Sequence, residues 1–346
     1  MKTVVSTSAV NQVSEATIVS RLSRTFTTMR WLVKREFWEN RSLFFWGPLG
    51  IALTLCSVFL AAAFKDSPWL MHTKILDNKK MMQDDPLAGA NLIRDFIATL
   101  GSELPIVFQM FYFWMFCIGG FVSILYLMSA LHTERVDRSI LFWKSLPIAD
   151  SQTIVSKILF PLFLSPFILW ATVTILFFVS VFIFGVVSEF TSVNVFWHLM
   201  GNLSLYGSTL QILALLPVFS LWALPSIGWY LMVSAWAKSR VFPWAIGIPL
   251  LSIGVLLLIN HVFHFGWDIR WYSIHIVLRL IAGVFPASWI LEQQNIGLPE
   301  HYFSLQNISE QAWFAIKGTS IWIGAVAGIV MLFVAVRLRQ FNESNT

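Results

Sequence analysis

The residues best suited to specific contacts lie in one polar stretch between two hydrophobic windows, His132–Pro147. On a helix through this stretch, Glu134 and Arg138 form an i,i+4 pair in the favourable order, with the acidic residue first. The same helix carries an apolar stripe, formed by Val136, Ile140 and Trp143. Charges beside exposed aromatic side chains suit a protein groove better than water. We therefore predict that His132–Pro147, the docking segment, binds a partner; the alternative is an ordinary solvated loop.

Other kinds of chemistry are missing from the chain. No G-x-x-x-x-G-K-[ST] loop is present to bind ATP phosphates, and no His-Glu-x-x-His helix is present to bind zinc. The hydrophobic windows contain no Asp, Glu, Lys or Arg, and their one histidine, His261, lies two residues from the end of the fifth window, which argues against an ion-coupled carrier and an intramembrane protease. Ser123, Ser165 and Ser226 lack a basic neighbour in the same window, so we expect them to pack helices. We predict a non-catalytic chain without a cofactor of its own.

The elements that position the docking segment are membrane helices. Hydrophobic residues make up 57% of the 346 residues, charged residues 12%, and the mean hydropathy is +0.72. These values are typical of an all-α integral membrane protein and argue against nucleic-acid binding. Cys56 and Cys117 both lie in apolar windows, so we expect no structural disulfide.

Six windows have the length that crosses a hydrocarbon core of about 30 Å. They form a predicted transmembrane domain over residues 43–337, with spans at Leu43–Ala63, Ile106–Leu131, Ile158–Val187, Gly207–Ala237, Val241–Phe263 and Thr319–Val336. Gly324 and Gly328 give the last span a small-residue face for close helix packing.

The orientation follows from the basic residues. With the N-terminus in the cytoplasm, 15 of the 23 basic residues lie in the inside segments, which are 1–42, 132–157, 238–240 and 337–346. The positive-inside rule therefore predicts that both termini are cytoplasmic. The chain then ends in a cytoplasmic tail, residues 338–346.

The N-terminal region divides into two parts. Residues 1–20 are polar, contain few aromatic residues and have no helical period, so we predict a disordered leader. Residues 21–42 place aromatic and basic side chains at helical spacing, which is typical of an amphipathic helix at the membrane interface. An ordinary juxtamembrane flank is the alternative. The predicted contacts with membrane lipid are Arg30, Trp31, Lys34, Arg35 and Trp38.

Two longer segments lie outside in this orientation. Phe64–Pro105 is long enough for a small helical cap, and Gly266–Lys317 contains the apolar stretch Tyr272–Leu291. A single crossing by this stretch would place Arg337 and Arg339 outside, so we predict a re-entrant or interface-lying hairpin. Two crossings here would also preserve the orientation.

The docking segment resembles the ABC-2 type permeases, the membrane subunits of one class of ATP-binding cassette exporters. The matching residues are Glu134-Arg135-x-Asp137-Arg138-Ser139-x-Leu141-x-x-x-Ser145-Leu146-Pro147, with Ser156-Lys157 before the third span. The interfacial helix, the six spans and the re-entrant element also fit that family. The resemblance implies a bacterial cytoplasmic-membrane permease, in which the docking segment is a coupling helix held in a cleft of a separate ATPase.

That resemblance also implies an assembly and a site. Two permeases, identical or paralogous, would pair with two ATPase subunits that bind ATP and magnesium. The ATPase contacts would be Glu134, Arg135, Asp137, Arg138, Ile140, Leu141, Phe142, Trp143 and Lys144. The second and fifth spans would line the translocation path, with Phe108, Gln109, Tyr112, Phe116, Trp244, Ile248 and Leu251.

These aromatic and aliphatic side chains suit lipid-like, amphipathic or hydrophobic-peptide cargo, although each could also be a packing or lipid-facing residue. A non-transporting anchor that relays ATPase motion, and an ion-coupled secondary carrier, are the alternative functions.

Overall fold

The computed structural model describes residues 25–64, 86–137, 139, 145, 148–189, 197, 201, 203–293 and 305–341. All regular secondary structure in these ranges is helical, as the composition predicts. The predicted leader, residues 1–20, lies outside the described residues, as do residues 342–346 of the predicted tail.

The α-helices of these ranges differ widely in length, from four to 45 residues. In chain order they are α1 (Thr25–Glu39), α2 (Gly47–Phe64), α3 (Pro86–Ala130), α4 (His132–Val136), α5 (Asp150–Leu159), α6 (Ser165–Glu189), α7 (Leu203–Ala214), α8 (Leu216–Trp236), α9 (Val241–Phe263), α10 (Ile269–Tyr272), α11 (Arg279–Ala282), α12 (Leu305–Lys317) and α13 (Thr319–Phe341). Three π-helical segments and one 3-10 helix complete the set, at Ser42–Trp46, Phe160–Leu164, Ser273–Leu278 and Ser288–Gln293.

Five helical segments within the described residues are long and apolar enough to cross a membrane. They are Leu104–Val136, Asp150–Ile183, Tyr206–Trp236, Val241–Phe263 and Thr319–Phe341. A sixth is counted if Thr25–Glu39 and Ser42–Val58, which meet at 66°, form one broken span. The chain is therefore a multi-pass membrane protein, and the layout of six spans stays a prediction.

The second span is part of a longer helix than the sequence predicts. α3 has 45 residues and begins at Pro86, within the predicted external loop. At 1.5 Å per residue it is about 68 Å long, more than twice the hydrocarbon thickness. Pro105 lies inside this helix, near the start of the apolar part. The second half of the predicted external segment is thus helical and continuous with the span, which an apolar window cannot show because it locates the span and not the whole helix.

α8 is the central helix of the bundle, and its closest partner is α13. Ala223, Ile227 and Leu231 of α8 are fully buried. A Cβ atom on Gly228 would lie 2.6 Å from the carbonyl oxygen of Gly328, so only glycine permits this approach. The small-residue face of the last span is thus confirmed, and it packs within the same chain.

The apolar stretch Tyr272–Leu291 forms a hairpin, residues 269–293. Its first arm consists of α10, a π-helical segment and α11, together 14 residues. This arm is about 21 Å long, too short for a complete crossing. The chain then turns through Gly283–Ala287 and returns in the 3-10 helix Ser288–Gln293. The hairpin matches the predicted re-entrant or interface-lying element better than a complete span.

Candidate functional site

The docking segment begins with α4, which is short. α4 ends where the backbone N–H of Asp137 donates to the carbonyl of Thr133 at 2.9 Å. Val136 and Asp137 are exposed, whereas Glu134 is buried and Arg135 half-buried. The six other predicted ATPase contacts lie outside the described residues; they are Arg138, Ile140, Leu141, Phe142, Trp143 and Lys144.

The carboxylate of Glu134 faces the protein interior, where it forms ion pairs with three other helices. Its Oε1 lies 3.1 Å from the Nζ of Lys157 on α5 and 3.5 Å from the guanidinium of Arg35 on α1. Its Oε2 lies 3.2 Å from the guanidinium of Arg339 on α13. One carboxylate at the start of the docking segment therefore connects α4 to α1, α5 and α13.

A second buried carboxylate shares the same lysine. Glu36 of α1 is 1% exposed, and Lys157 donates to its Oε1 at 3.0 Å. The hydroxyl of Tyr126 on α3 donates to the other oxygen, Oε2, at 2.7 Å. A buried charge without a partner is costly, so each group here depends on the others for compensation.

Two further ion pairs lie at the edge of this buried cluster, closer to solvent. Arg339 lies 3.3 Å from Asp150 at the start of α5, and Arg35 donates to Glu39 at 2.7 Å. Burial lowers the pKa of Arg35, but its hydrogen bond to Glu39 and the charges of Glu36 and Glu134 outweigh that effect, so the pKa is raised. We call six residues of this group the ion network: Arg35, Glu36, Glu134, Asp150, Lys157 and Arg339.

Arg135 connects the docking segment to the central helix. Its guanidinium donates to the carbonyls of Ser234 and Ala237, the latter at 2.9 Å, at the C-terminal end of α8. A cation here compensates the last carbonyls and the negative end of the helix dipole. The Ser234 hydroxyl accepts the N–H groups of Leu131 and His132, at 3.2 and 3.1 Å. Together these contacts fix the start of the docking segment against α8.

The predicted lipid contacts of α1 divide into two sets. Arg30, Trp31, Lys34 and Trp38 are exposed, and the Lys34 ammonium lies 5.2 Å from the ring centroid of Trp31. Arg35 instead joins the ion network. A surface role for the first four at the membrane interface stays a prediction.

The residues predicted to line a path do not all lie together. Gln109, Tyr112 and Phe116 of α3 border one cavity of about 80 Å³. Phe108 faces α6, where its ring centroid lies 4.3 Å from that of Phe177. The α9 residues do not border this cavity; they are Trp244, Ile248 and Leu251. The structure thus brings together three of the seven predicted residues.

The hairpin contains a second polar cluster, around a buried arginine. The guanidinium of Arg279 lies 4.0 Å from the ring centroid of Trp222 and donates to the carbonyl and hydroxyl of Ser320 at 2.9 and 3.1 Å. Ser320 also donates to Glu292, whose carboxylate lies 3.7 Å from His275.

No known family model, curated protein or solved structure matches this chain. The functional interpretation therefore rests on the residues and their geometry.

Three residues of these sites were missed by sequence reasoning. Glu36 lies on the buried face of α1, four residues after the buried Leu32. A charged residue on the apolar face of a helix was the feature of the sequence that could have identified it. Lys157 was noted only as part of the family resemblance, and Arg339 only for its charge. The ion pairs that Lys157 and Arg339 form with Glu134 could not be identified from the sequence, because they join distant parts of the chain.

Proposed function

We propose that this chain is the permease subunit of an ATP-binding cassette exporter. It would move hydrophobic or amphipathic cargo across a bacterial cytoplasmic membrane, with both termini in the cytoplasm. The energy would come from ATP hydrolysed by a separate subunit, since the chain has no phosphate-binding loop of its own.

The observation that carries the proposal is the position of Glu134. It lies at the start of the docking segment and forms ion pairs with α1, α5 and α13. Next to it, Arg135 binds the C-terminal end of α8. A partner that displaces the docking segment would therefore displace the ends of four other helices with it. Discrete ion pairs between rigid helices are the kind of contact through which motion passes between sites.

The assembly would contain two permease copies. α9 is apolar, and its buried residues are few within the chain: Val241, Ala245 and Pro249. These lie at four-residue spacing on one face, so most of the helix surface is left for lipid or for a second subunit. A symmetric pair is the commonest arrangement for such an interface.

The deciding experiment is affinity purification of the full chain from its native membrane in mild detergent, followed by mass spectrometry. We expect a stoichiometric ATPase of the cassette type. Recovery of the chain alone, in repeated preparations and in several detergents, would refute the proposal.

Charge reversal then locates the contact. Arg135 is a poor probe, because its reversal would remove the contacts with Ser234 and Ala237 and unfold the region. Arg138→Glu together with Lys144→Glu changes two other cations of the docking segment. We expect this variant to lose the ATPase while the chain keeps its elution volume on size exclusion. Arg337→Glu, an exposed cation on α13, is the matched control.

The Arg279 cluster favours one second candidate, an ion-coupled secondary carrier. Ionisable groups inside a membrane protein, on a broken helix, are typical of such carriers. Vesicles that contain the chain alone separate the two functions. A carrier would move cargo under an imposed proton or sodium gradient, whereas the permease would need the ATPase and ATP.

A further inference from the structure

The cavity beside α3 has walls from four parts of the chain. Gln109–Phe116 of α3 form one side, and Ile212–Phe219, where α7 meets α8, form another. The tip of the hairpin, Pro286–Trp289, and Ile308 of α12 close it. Apart from Gln109, the lining side chains are apolar or aromatic. The volume of about 80 Å³ is enough for a segment of hydrocarbon chain.

The cavity reaches the lipid-facing surface of the second span. Among the described residues that line it, Met110 alone is exposed, at 43%. It belongs to a stripe of exposed apolar side chains on the same face of α3, with Ile106, Trp114 and Phe121. In a membrane span such a stripe faces hydrocarbon. A molecule that enters past Met110 therefore comes from the bilayer.

The depth of the cavity along the span matches the ester group and the first part of the acyl chain of a lipid. Gln109 is five residues and Phe116 is twelve residues into the span that begins at Leu104. At 1.5 Å per residue, the cavity extends from about 8 to about 18 Å along the span. The 33-residue segment Leu104–Val136 is about 50 Å long, so a hydrocarbon core of about 30 Å centred on it begins about 10 Å from Leu104. The cavity then begins at the level of the lipid ester groups and continues into the acyl region.

One polar group of the wall lacks a hydrogen-bond partner within the part of the chain that the structure describes. Trp289 lines the cavity and is 3% exposed, and its indole Nε1–H has no hydrogen-bond partner among the described residues. A buried donor without an acceptor is costly, and an acceptor on a bound molecule would remove that cost. The neighbouring Ala287 has a left-handed backbone, with φ of 59°, a strain found often at ligand-binding sites.

We propose that this cavity binds the acyl chain of a bilayer lipid, whose ester carbonyl accepts a hydrogen bond from Trp289. Hydrogen bonds from α8 hold the hairpin wall in place. Ser226 donates to the carbonyl of Arg279, and the Tyr230 hydroxyl donates to the carbonyl of Ile281 at 2.8 Å. Trp222 donates to Ser288, next to Trp289, at 3.0 Å. The site does not depend on whether the chain is a permease.

The experiment uses the full chain in nanodiscs that contain a phospholipid with a diazirine in its acyl chain. After illumination, mass spectrometry maps the labelled peptides. We expect labelling to concentrate in 109–116, 212–219 and 286–289, and an unlabelled ester lipid to compete better than its ether analogue, which lacks the carbonyl. Labelling spread evenly over lipid-facing helices would overturn the proposal.

Trp289→Phe removes the donor and keeps an aromatic ring. We expect this variant to bind the ester lipid about fivefold more weakly, the effect of one hydrogen bond, and to lose the preference for ester over ether. Trp114→Phe, one turn from Met110 on the lipid-facing stripe, should keep both. Should Trp289→Phe fail to fold, equal competition by ester and ether lipids in the unmodified chain would still refute the hydrogen bond.

Discussion

The ammonium of Lys157 lies 3.1 Å from the carboxylate of Glu134, and both side chains are buried between helices far apart in the chain. The same ammonium lies 3.0 Å from Glu36. One lysine thus compensates two buried carboxylates, on α1 and at the start of the docking segment. Removal of either partner would leave charge in a medium that solvates it poorly.

Replacement of Lys157 by methionine tests this relationship. Both carboxylates would lose their shared cation, so we expect the free energy of unfolding to fall by about 3–5 kcal/mol. Thermal unfolding in detergent, followed by size exclusion, measures the loss. Lys238→Met removes an exposed lysine and should leave the melting temperature unchanged. Addition of Glu36→Gln to Lys157→Met should recover part of the loss; an additive further loss would contradict the pairing.

The contact between α8 and α13 gives a second prediction. In Gly228→Ala, the new methyl group would lie 2.6 Å from the backbone oxygen of Gly328, so the helices must separate. We expect a destabilisation of about 1–3 kcal/mol, although alanine is the better helix former. Gly207→Ala on α7 meets nothing within 4 Å and should be neutral or stabilising. Equal melting temperatures for the two variants would show that the helices do not meet at Gly228.

The spans could be predicted from sequence because hydropathy is a local property. Val241–Phe263 was predicted with the bounds that the structure gives, and the start of the last span, Thr319, also agrees. The start of α3 at Pro86 could not be predicted in this way, because the first turns of that helix lie outside the apolar window.

The polar sites could not be predicted, since their partners are distant in sequence. Lys157 and Glu36 are 121 positions apart, and Arg279 is 41 positions from Ser320. Nothing near Glu134 in the sequence shows that its side chain faces the protein interior. The predicted i,i+4 pair with Arg138 suggested instead that Glu134 lies on the exposed surface of the docking segment. Trp244, Ile248 and Leu251 were chosen by resemblance, which assigns a helix to a path without specifying the face.

Arg279 gives a third prediction, for the hairpin. Its planar guanidinium lies over the ring of Trp222 and donates hydrogen bonds to the carbonyl and the hydroxyl of Ser320. A lysine ammonium cannot reproduce that geometry. We expect Arg279→Lys to increase amide hydrogen exchange across residues 269–293 by about tenfold, the effect of roughly 1.4 kcal/mol. Arg270→Lys, at an exposed position of the same hairpin, is the control. Unchanged exchange in Arg279→Lys would mean that charge alone holds the hairpin.

The exposed face of α9 gives the last prediction, which concerns the assembly. Leu251 and Leu258 are 69% and 65% exposed, on a helix that buries little of its surface within the chain. In a background without Cys56 and Cys117, we expect Leu251→Cys and Leu258→Cys to be joined between two copies by a short bismaleimide in native membranes. Ile175→Cys on α6 is 62% exposed and serves as the control for random encounters. A two-fold interface pairs the same surface patch of both copies, so residues near its axis face their own counterparts, and crosslinking at α9 should exceed the control several-fold. Equal yields at α9 and α6 would assign the α9 surface to lipid and remove the support for a paired permease.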